Sequence, residues 1–531
     1  MKKAPLFLFI ILLFALTLRL YPTLTSNMPF STDAWPLIRN TELIIQNTPI
    51  PLNNALFDAY NNFWPAIQLF GAAFSQITNL PPIIAMAIGI PIAAALAIPI
   101  FYLLVKKLTE NTTVALFASL MLAAAFSYTL YTSGVTKEAF ASPIYIALIL
   151  LFLLKHNKKT ALLFSIASAA LALTHHFTAF FATIILVAIS IANYFGKNDE
   201  KQENSNLSNL SFTAIQATIT ISYFVLFASP KFNSNFSSSM LLTVAAYQIL
   251  FASLTLGMTY SIKKASTKRS LMYFIIGSST AIWAMYTILH TCTLPGAHLL
   301  YELPLFIGLP LAVFGLIELY QRKTKLTAPF FWLISVLAFT FFAVFSNIGG
   351  ASDFTWRSMN FILPPLIILI AIGISKLYST PPHVKLQKLT KPLSILLVLA
   401  IVSANAYGMY KTVSEQDSSL GYFWLYRPSD FEASKWIASY ANNQTTGGDD
   451  RVAYLLQQYF NKSVSTSQGL RYLEGNGTAP EILYIYDQMK EESKGYVIAG
   501  VPISLPANWT EKLSNYNLIY ANNEVTIYAK R

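Results

Sequence analysis

Apolar residues in this chain come in runs of about 20, the length that crosses a bilayer core, separated by short polar stretches. The pattern predicts transmembrane helices at 4–22, 82–105, 113–131, 139–154, 160–174, 177–195, 211–229, 239–261, 271–289, 303–320, 328–346, 359–377 and 392–410. That makes about thirteen spans in a polytopic α-helical protein. The stretch from Phe63 to Ile77 is apolar but short, and it carries Gln68, Ser75 and Gln76. If it lies at the interface, the clusters Lys2/Lys3, Lys106/Lys107, Lys155/Lys158/Lys159, Lys197/Lys201, Lys263/Lys264/Lys268/Arg269, Arg322/Lys323/Lys325 and Lys385/Lys388/Lys391 all face one side, which the positive-inside rule makes the cytoplasm. Counted as a crossing, it would strand all but the first cluster outside.

This threading puts the N-terminus in the cytoplasm and residues 411–531 outside, after a membrane domain over 1–410. The C-terminal part, about 120 residues, has the size of one soluble domain. Within it, Phe431–Ile437 after Ser429-Asp430 reads as a capped helix. Glu481–Tyr486 reads as a strand, and Asn517–Ala521 with Glu524–Tyr528 as a hairpin turning at Asn522-Asn523, so the domain is expected to be small and α/β. The first external loop, 21–62, is aromatic and Pro-punctuated, and a loop of that length is usually functional. Gly196–Leu210, rich in Asn, Ser, Lys and Glu, reads as a flexible cytoplasmic linker.

Composition changes one point. The net charge of +12 would suit a nucleic-acid partner, but with only 11% charged and 54% hydrophobic residues the cations fall between spans, so topology accounts for them and no nucleic acid is expected. Cys292 is the only cysteine, which excludes an intrachain disulfide. After Met1-Lys2-Lys3 and an apolar run, Arg19-Leu20-Tyr21-Pro22 offers no small-residue cleavage pattern, so the first segment is expected to be a retained span. These features suit a multi-pass protein of a prokaryotic plasma membrane, archaeal or bacterial.

The side opposite the basic clusters holds the groups with chemistry. Asp33, in Pro29-Phe30-Ser31-Thr32-Asp33-Ala34-Trp35-Pro36, places a carboxylate among bulky rings, where burial would raise its basicity; the structural alternative is a capping Asp in a turn. Asp58 ends the same loop and reads as a helix N-cap or a second acidic group. In Thr136-Lys137-Glu138, Lys137 either meets a phosphate or snorkels, and Glu138 either faces Asp33 or a metal or caps the next helix. His175 and His176 end the fifth span; adjacent on a helix they chelate poorly, which leaves a phosphate or sugar-hydroxyl contact, or plain packing. His290, His298 and Glu302 lie around the loop into the tenth span. Arg357 opens the twelfth span, where its guanidinium reaches lipid-phosphate oxygens or pairs with Asp353.

A long first external loop with an acidic residue, an interfacial segment, an acidic residue in the second external loop, about thirteen spans and an exported C-terminal domain together resemble the GT-C glycosyltransferases. The layout is similar to that of the oligosaccharyltransferase catalytic subunit and the protein mannosyltransferases. Two features depart from it: Asp33 stands alone without an Asp-X-Asp, and the C-terminal domain has no Trp-Trp-Asp-Tyr-Gly. The resemblance implies a polyprenyl-phosphate-linked sugar as donor, drawn from the membrane lipid, and an exported acceptor that is a protein, a lipid or a glycan. It implies Asp33 as general base in an inverting displacement and Glu138 as its partner, the two carboxylates also being the expected ligands of any divalent cation, Mg or Mn. Lys137, Arg357 and His175 or His176 would meet the carrier phosphate, with Asp58, His298 and Glu302 as further substrate contacts. The rival class is a flippase or transporter of lipid-linked sugars, expected to carry polar or broken spans near the bilayer midplane. A scaffold whose outer domain binds a partner is the third reading.

Overall fold

Helices form where the apolar runs lie, but their ends and breaks are set by packing. The computed structural model describes residues 3–47, 60–195, 203–228, 242–253, 305, 308–321, 328–345, 351–379, 387–414, 421–441, 444–491 and 494–531. The chain divides into two units, one of Met1–Leu18, Ala93–Thr132 and Phe140–Gly408, the other of Arg19–Ile92, Ser133–Ala139 and Met409–Arg531. The C-terminal part therefore groups with the first long connection and with a seven-residue piece of the second.

The first helix, α1 (Ala4–Ser26), continues through Pro22 beyond the expected end. Two helices follow in the first connection, α2 (Ala34–Gln46) and α3 (Ala66–Thr78). The long loop is thus partly helical, and α3, at 13 residues, is too short to cross a bilayer. Next come α4 (Pro82–Ala95), α5 (Ala97–Thr109), α6 (Thr112–Ala124), α7 (Phe126–Ser133), α8 (Lys137–Leu153), α9 (Lys158–Thr174), α10 (His176–Phe195) and α11 (Glu203–Tyr223). The segment expected to be a linker up to Leu210 is therefore helical from Glu203. After α12 (Leu242–Ser253), the set ends with α13 (Leu309–Gln321), α14 (Ala328–Phe345), α15 (Ala351–Tyr378) and α16 (Gln387–Ser414).

Among the described residues six helices are long and apolar enough to cross a membrane, or seven if the pair α6 and α7, bent by 60°, forms one span. Others of the expected thirteen are shorter helices, such as α8 and α9 at 17 residues each, and the span expected at 271–289 lies outside the described residues. Leu6, Phe7, Phe9 and Ile10 on α1 and Leu393 and Leu396 on α16 point outward. Apolar faces of this kind are stable against lipid rather than water.

In the helical unit α15 packs against α13, α14 and α6, and α14 against α10. Phe181 stacks on Phe361 at 4.4 Å, and Tyr145 meets Trp332 and Phe361 edge-on. A Cβ on Gly315 would overlap the Leu369 carbonyl and one on Gly373 the Leu311 carbonyl, so α13 and α15 touch backbone to backbone. At the α6–α7 bend the Phe126 amide donates to Oδ1 of buried Asn405 on α16 at 2.9 Å.

The C-terminal part is an α/β layer. Strands β1 (Thr446–Gly447), β2 (Val464–Ser465) and β3 (Ile482–Tyr486) run parallel, linked by α18 (Asp450–Gln458) and α19 (Thr466–Leu473), after α17 (Pro428–Tyr440). After the β4–β5 hairpin (Tyr496–Ile498 and Val501–Ile503), β6 (Tyr516–Ala521) and β7 (Val525–Lys530) complete a sheet of order β2-β1-β3-β7-β6. Strand β3 is buried at every residue, which explains its unbroken apolar run, while exposed residues dominate edge strand β6. The capped helix begins one turn earlier than its apolar pattern suggested, with Pro428 as first helical residue and the Asp430 carboxylate accepting from the Arg427 amide at 2.8 Å.

Candidate active site

Asp33 sits on a segment held from several directions. Beyond α1, Asn27 turns the chain in the left-handed region (φ 56°), and the Ser26 hydroxyl accepts from the Met28 amide at 3.2 Å. Phe30 forms an antiparallel bridge with Leu425, and its carbonyl accepts from the Val135 amide at 3.0 Å. Ser31 follows at φ 91°, a region that L-residues rarely enter and that persists only where surroundings enforce it. Its amide donates to the Trp424 carbonyl at 3.0 Å, and its hydroxyl accepts from the Asp33 amide at 3.2 Å. Gly134 lies beneath it, where a Cβ would come within 3.0 Å of the Ser31 Cβ and 3.2 Å of the Phe30 carbonyl oxygen.

Asp33 occupies the N-cap position of α2, but its carboxylate makes no capping bond. In the second connection Thr136 Oγ1 accepts from the Ala139 amide at 3.0 Å and caps α8, and Glu138, in the first helical turn, is buried.

Lys137 is held by three neighbours from the first connection. Its ammonium donates to Asn61 Oδ1 at 2.8 Å and lies 4.0 Å from the centre of the Tyr60 ring and 5.2 Å from that of Trp64. Asn61 is itself held, its carbonyl accepting from Gln68 Nε2 at 3.3 Å. Gln68 and Ser75, the polar residues that made α3 a poor span, are both buried, and Ser75 donates to the Leu80 carbonyl at 2.6 Å.

One face of α2 meets the C-terminal part of the same unit. Trp35 is fully buried, with Tyr426 edge-on at 5.0 Å, Phe431 stacked at 5.9 Å and Tyr459 edge-on at 5.7 Å. Two turns along, Glu42 accepts from the Tyr459 hydroxyl at 2.8 Å; burial raises its pKa, and this bond pulls it back in part. Behind the Trp35 pocket lies a buried polar network. Arg451 pairs with Asp430 at 2.5 Å between the rings of Tyr426 (4.8 Å) and Tyr486 (4.6 Å), and donates to the Leu425 carbonyl at 2.9 Å. Asp449, also buried, accepts from the Val452 and Val497 amides and the Tyr486 hydroxyl, yet burial pushes its carboxyl up to about 6.

His175, His176 and Arg357 belong to the helical unit. His175 is buried, with Nδ1 2.8 Å from Thr178 Oγ1, and its ring meets that of His176 edge-on at 5.1 Å. Arg357 lies in the second turn of α15, since that helix starts at Ala351 rather than at the expected 359. Asp58, His298 and Glu302, with His290, lie outside the described residues. The structure thus groups Asp33, Lys137 and Glu138 in one unit. Arg19, fully buried at the start of that same unit, escaped the sequence reading, although a cation inside an apolar run is a signal in itself. Trp35 escaped it too, because an aromatic in an aromatic loop carries no mark of what it packs against.

Solved structures share this architecture. AglB, the archaeal oligosaccharyltransferase from Archaeoglobus fulgidus in complex with an inhibitory peptide and a dolichol-phosphate, matches with a TM-score of 0.58 at 13% identity, over 99% of this chain and 74% of that one. ArnT from Cupriavidus metallidurans in the apo state matches at 0.53 and 12%, over 98% and 97% of the two chains. The chain shares the fold of these two membrane proteins. A second ArnT structure, bound to undecaprenyl phosphate, matches at 0.50 and 11% identity over 98% and 97%. No protein-family model and no curated protein sequence matches the chain. At identities this low the likeness is one of fold, and the chemistry depends on the side chains of this chain.

Proposed function

We propose that the chain is a membrane glycosyltransferase that moves a sugar from a polyprenyl-phosphate carrier to an exported acceptor. The observation that carries the reading is Asp33: a carboxylate at a helix N-cap that makes no capping bond, on a strained segment pinned to the loop that leads into Lys137 and Glu138. The GT-C fold, found in AglB with a dolichol-phosphate and in ArnT with undecaprenyl phosphate, supports a lipid-linked donor over a flippase cycle.

In this reading the Asp33 carboxylate takes the proton of the acceptor nucleophile as that atom attacks the anomeric carbon from the face opposite the carrier. The new glycosidic bond forms as the bond to the phosphate oxygen breaks, the oxygen keeps the electron pair, and the configuration inverts. Lys137, already partly withdrawn from water, offers its charge to the leaving phosphate; buried Glu138 orients the acceptor. His175, His176 and Arg357 are proposed carrier contacts of the helical unit.

A divalent cation fits these residues in one mode only. Among the described residues no three His, Cys, Asp or Glu side chains gather as a ligand set. Mg or Mn, however, binds through one or two carboxylates plus water and substrate phosphate, so Asp33 and Glu138 would hold it and it would neutralise phosphate charge.

The test is transfer from a panel of polyprenyl-phosphate sugars by the purified full-length protein. Asp33→Asn is expected to abolish turnover, by about a thousandfold or more, while the protein still assembles. Full activity in that variant would remove Asp33 from the mechanism; lipid-linked sugar crossing vesicles with no transfer from any donor would mean a flippase.

A further inference from the structure

If Asp33 is the base, something must aim it. Its carboxylate makes no capping bond to α2, and the residue stands between two pinned segments, the strained Ser31 before it and α2 after it, so the path of the backbone and the rotation of α2 both bear on its direction. Trp35, Arg39 and Glu42 stand at i, i+4 and i+7 and so share one face of that helix. Two of the three grip the C-terminal domain: Trp35 fills the pocket of Tyr426, Phe431 and Tyr459, and Glu42 takes the Tyr459 hydroxyl. Two attachments spaced along one face fix a helix against turning about its axis. Ahead of Asp33, the same domain takes the Ser31 amide on the Trp424 carbonyl and bridges Phe30 to Leu425, enforcing the strained residue.

We propose that Trp35 is a positioning residue, and that through it the C-terminal domain sets the direction of the Asp33 carboxylate as part of the catalytic apparatus. This rests on the reading of Asp33 as base. A purely structural tryptophan would lower stability and yield alike, leaving the turnover of the folded fraction intact. A positioning tryptophan lowers turnover itself, because a displacement of about 1 Å at a reacting group costs on the order of a hundredfold.

The experiment uses full-length protein and a polyprenyl-phosphate sugar donor, with Trp35→Ala, Trp35→Phe and Tyr459→Phe. In Trp35→Ala, kcat is expected to fall about a hundredfold with the donor KM moving less than about twofold, and Trp35→Phe to recover most of the loss. Tyr459→Phe keeps every ring and removes only the bond to Glu42; it serves if Trp35→Ala does not fold, and its kcat is expected to fall several-fold. A second readout needs no turnover. Phe30 and Leu425 face each other across an antiparallel bridge, where Cα atoms are close enough for a disulfide. In a Cys292→Ser background, Phe30→Cys with Leu425→Cys is expected to oxidise rapidly when Trp35 is present and at least about tenfold more slowly in Trp35→Ala. Oxidising the pair in Trp35→Ala is expected to raise kcat relative to the same protein reduced.

Unchanged kcat in Trp35→Ala, a loss confined to the donor KM, or equal crosslinking rates with and without Trp35 would each overturn the proposal; so would unchanged kcat in Tyr459→Phe where it stands in. Activity retained in Asp33→Asn would instead count against the base assignment, while the crosslinking rates still report whether Trp35 docks the domain.

Discussion

Gly134 shows how much one missing side chain does in this protein. The Ser31 backbone passes so close that a Cβ at 134 would press on its Cβ and on the Phe30 carbonyl. Gly134→Val should cost about 1–3 kcal/mol through overpacking and should lower transfer more than thermal stability, since the displaced residue lies two positions before Asp33. Thermal unfolding in detergent beside a transfer assay checks the pair of effects. Lys137 is a second single-residue case. Tyr60, Trp64 and Asn61 hold its ammonium in place, so Lys137→Met, which keeps the stem and removes the charge, should raise the donor KM at least about tenfold and leave the fold intact. A Lys137→Met enzyme with an unchanged donor KM would separate that cation from the phosphate.

At the scale of elements, the helical unit depends on two devices that hydropathy does not display. The span expected at 113–131 is broken into α6 and α7, and the amide freed at Phe126 is taken by Asn405 of α16. Inside a bilayer there is no water to do that work. Asn405→Leu should destabilise the unit by about 1–3 kcal/mol, seen as a lower unfolding midpoint in detergent, although leucine looks better suited to an apolar helix. The second device is the contact of α13 with α15 at Gly315 and Gly373, where any larger side chain would push two main chains apart. In the sequence both appear as ordinary interruptions of apolar runs. Much else at this scale was legible: the buried strand at Ile482–Tyr486 and the closing hairpin fall where the residue pattern put them, because burial on both faces or one writes itself into the run of side chains.

Across the whole molecule, the division of labour follows from what each unit buries. The helical unit turns apolar faces outward, and the other unit encloses a polar network around Arg451, Asp430 and Asp449. Asp449 makes stability depend on pH in a defined direction. Its carboxyl titrates near 6 when folded against about 4 when unfolded, so folding takes up a proton between those values. The contribution is complete below about pH 4, declines as pH rises and is gone above about pH 6, amounting to roughly 3 kcal/mol. Hydrogen exchange at β3 in the full-length protein should show that decline, and Asp449→Asn should flatten it.

The sequence by itself determined that this is a polytopic helical membrane protein with an α/β segment at its C-terminus, and it drew attention to Asp33, Lys137 and Glu138. Hydropathy, charge placement and residue pattern are local properties, readable along the chain wherever burial is periodic. It could not decide what those side chains do with their neighbours: that Asp33 makes no capping bond to α2, that Lys137 sits against two rings, or that Trp35 reaches a pocket built about 400 residues later. Such contacts join residues far apart in the chain, and no local preference of a tryptophan or an aspartate encodes its partner. Only the tertiary structure, by closing the C-terminal domain over the first connection in one unit, decided them.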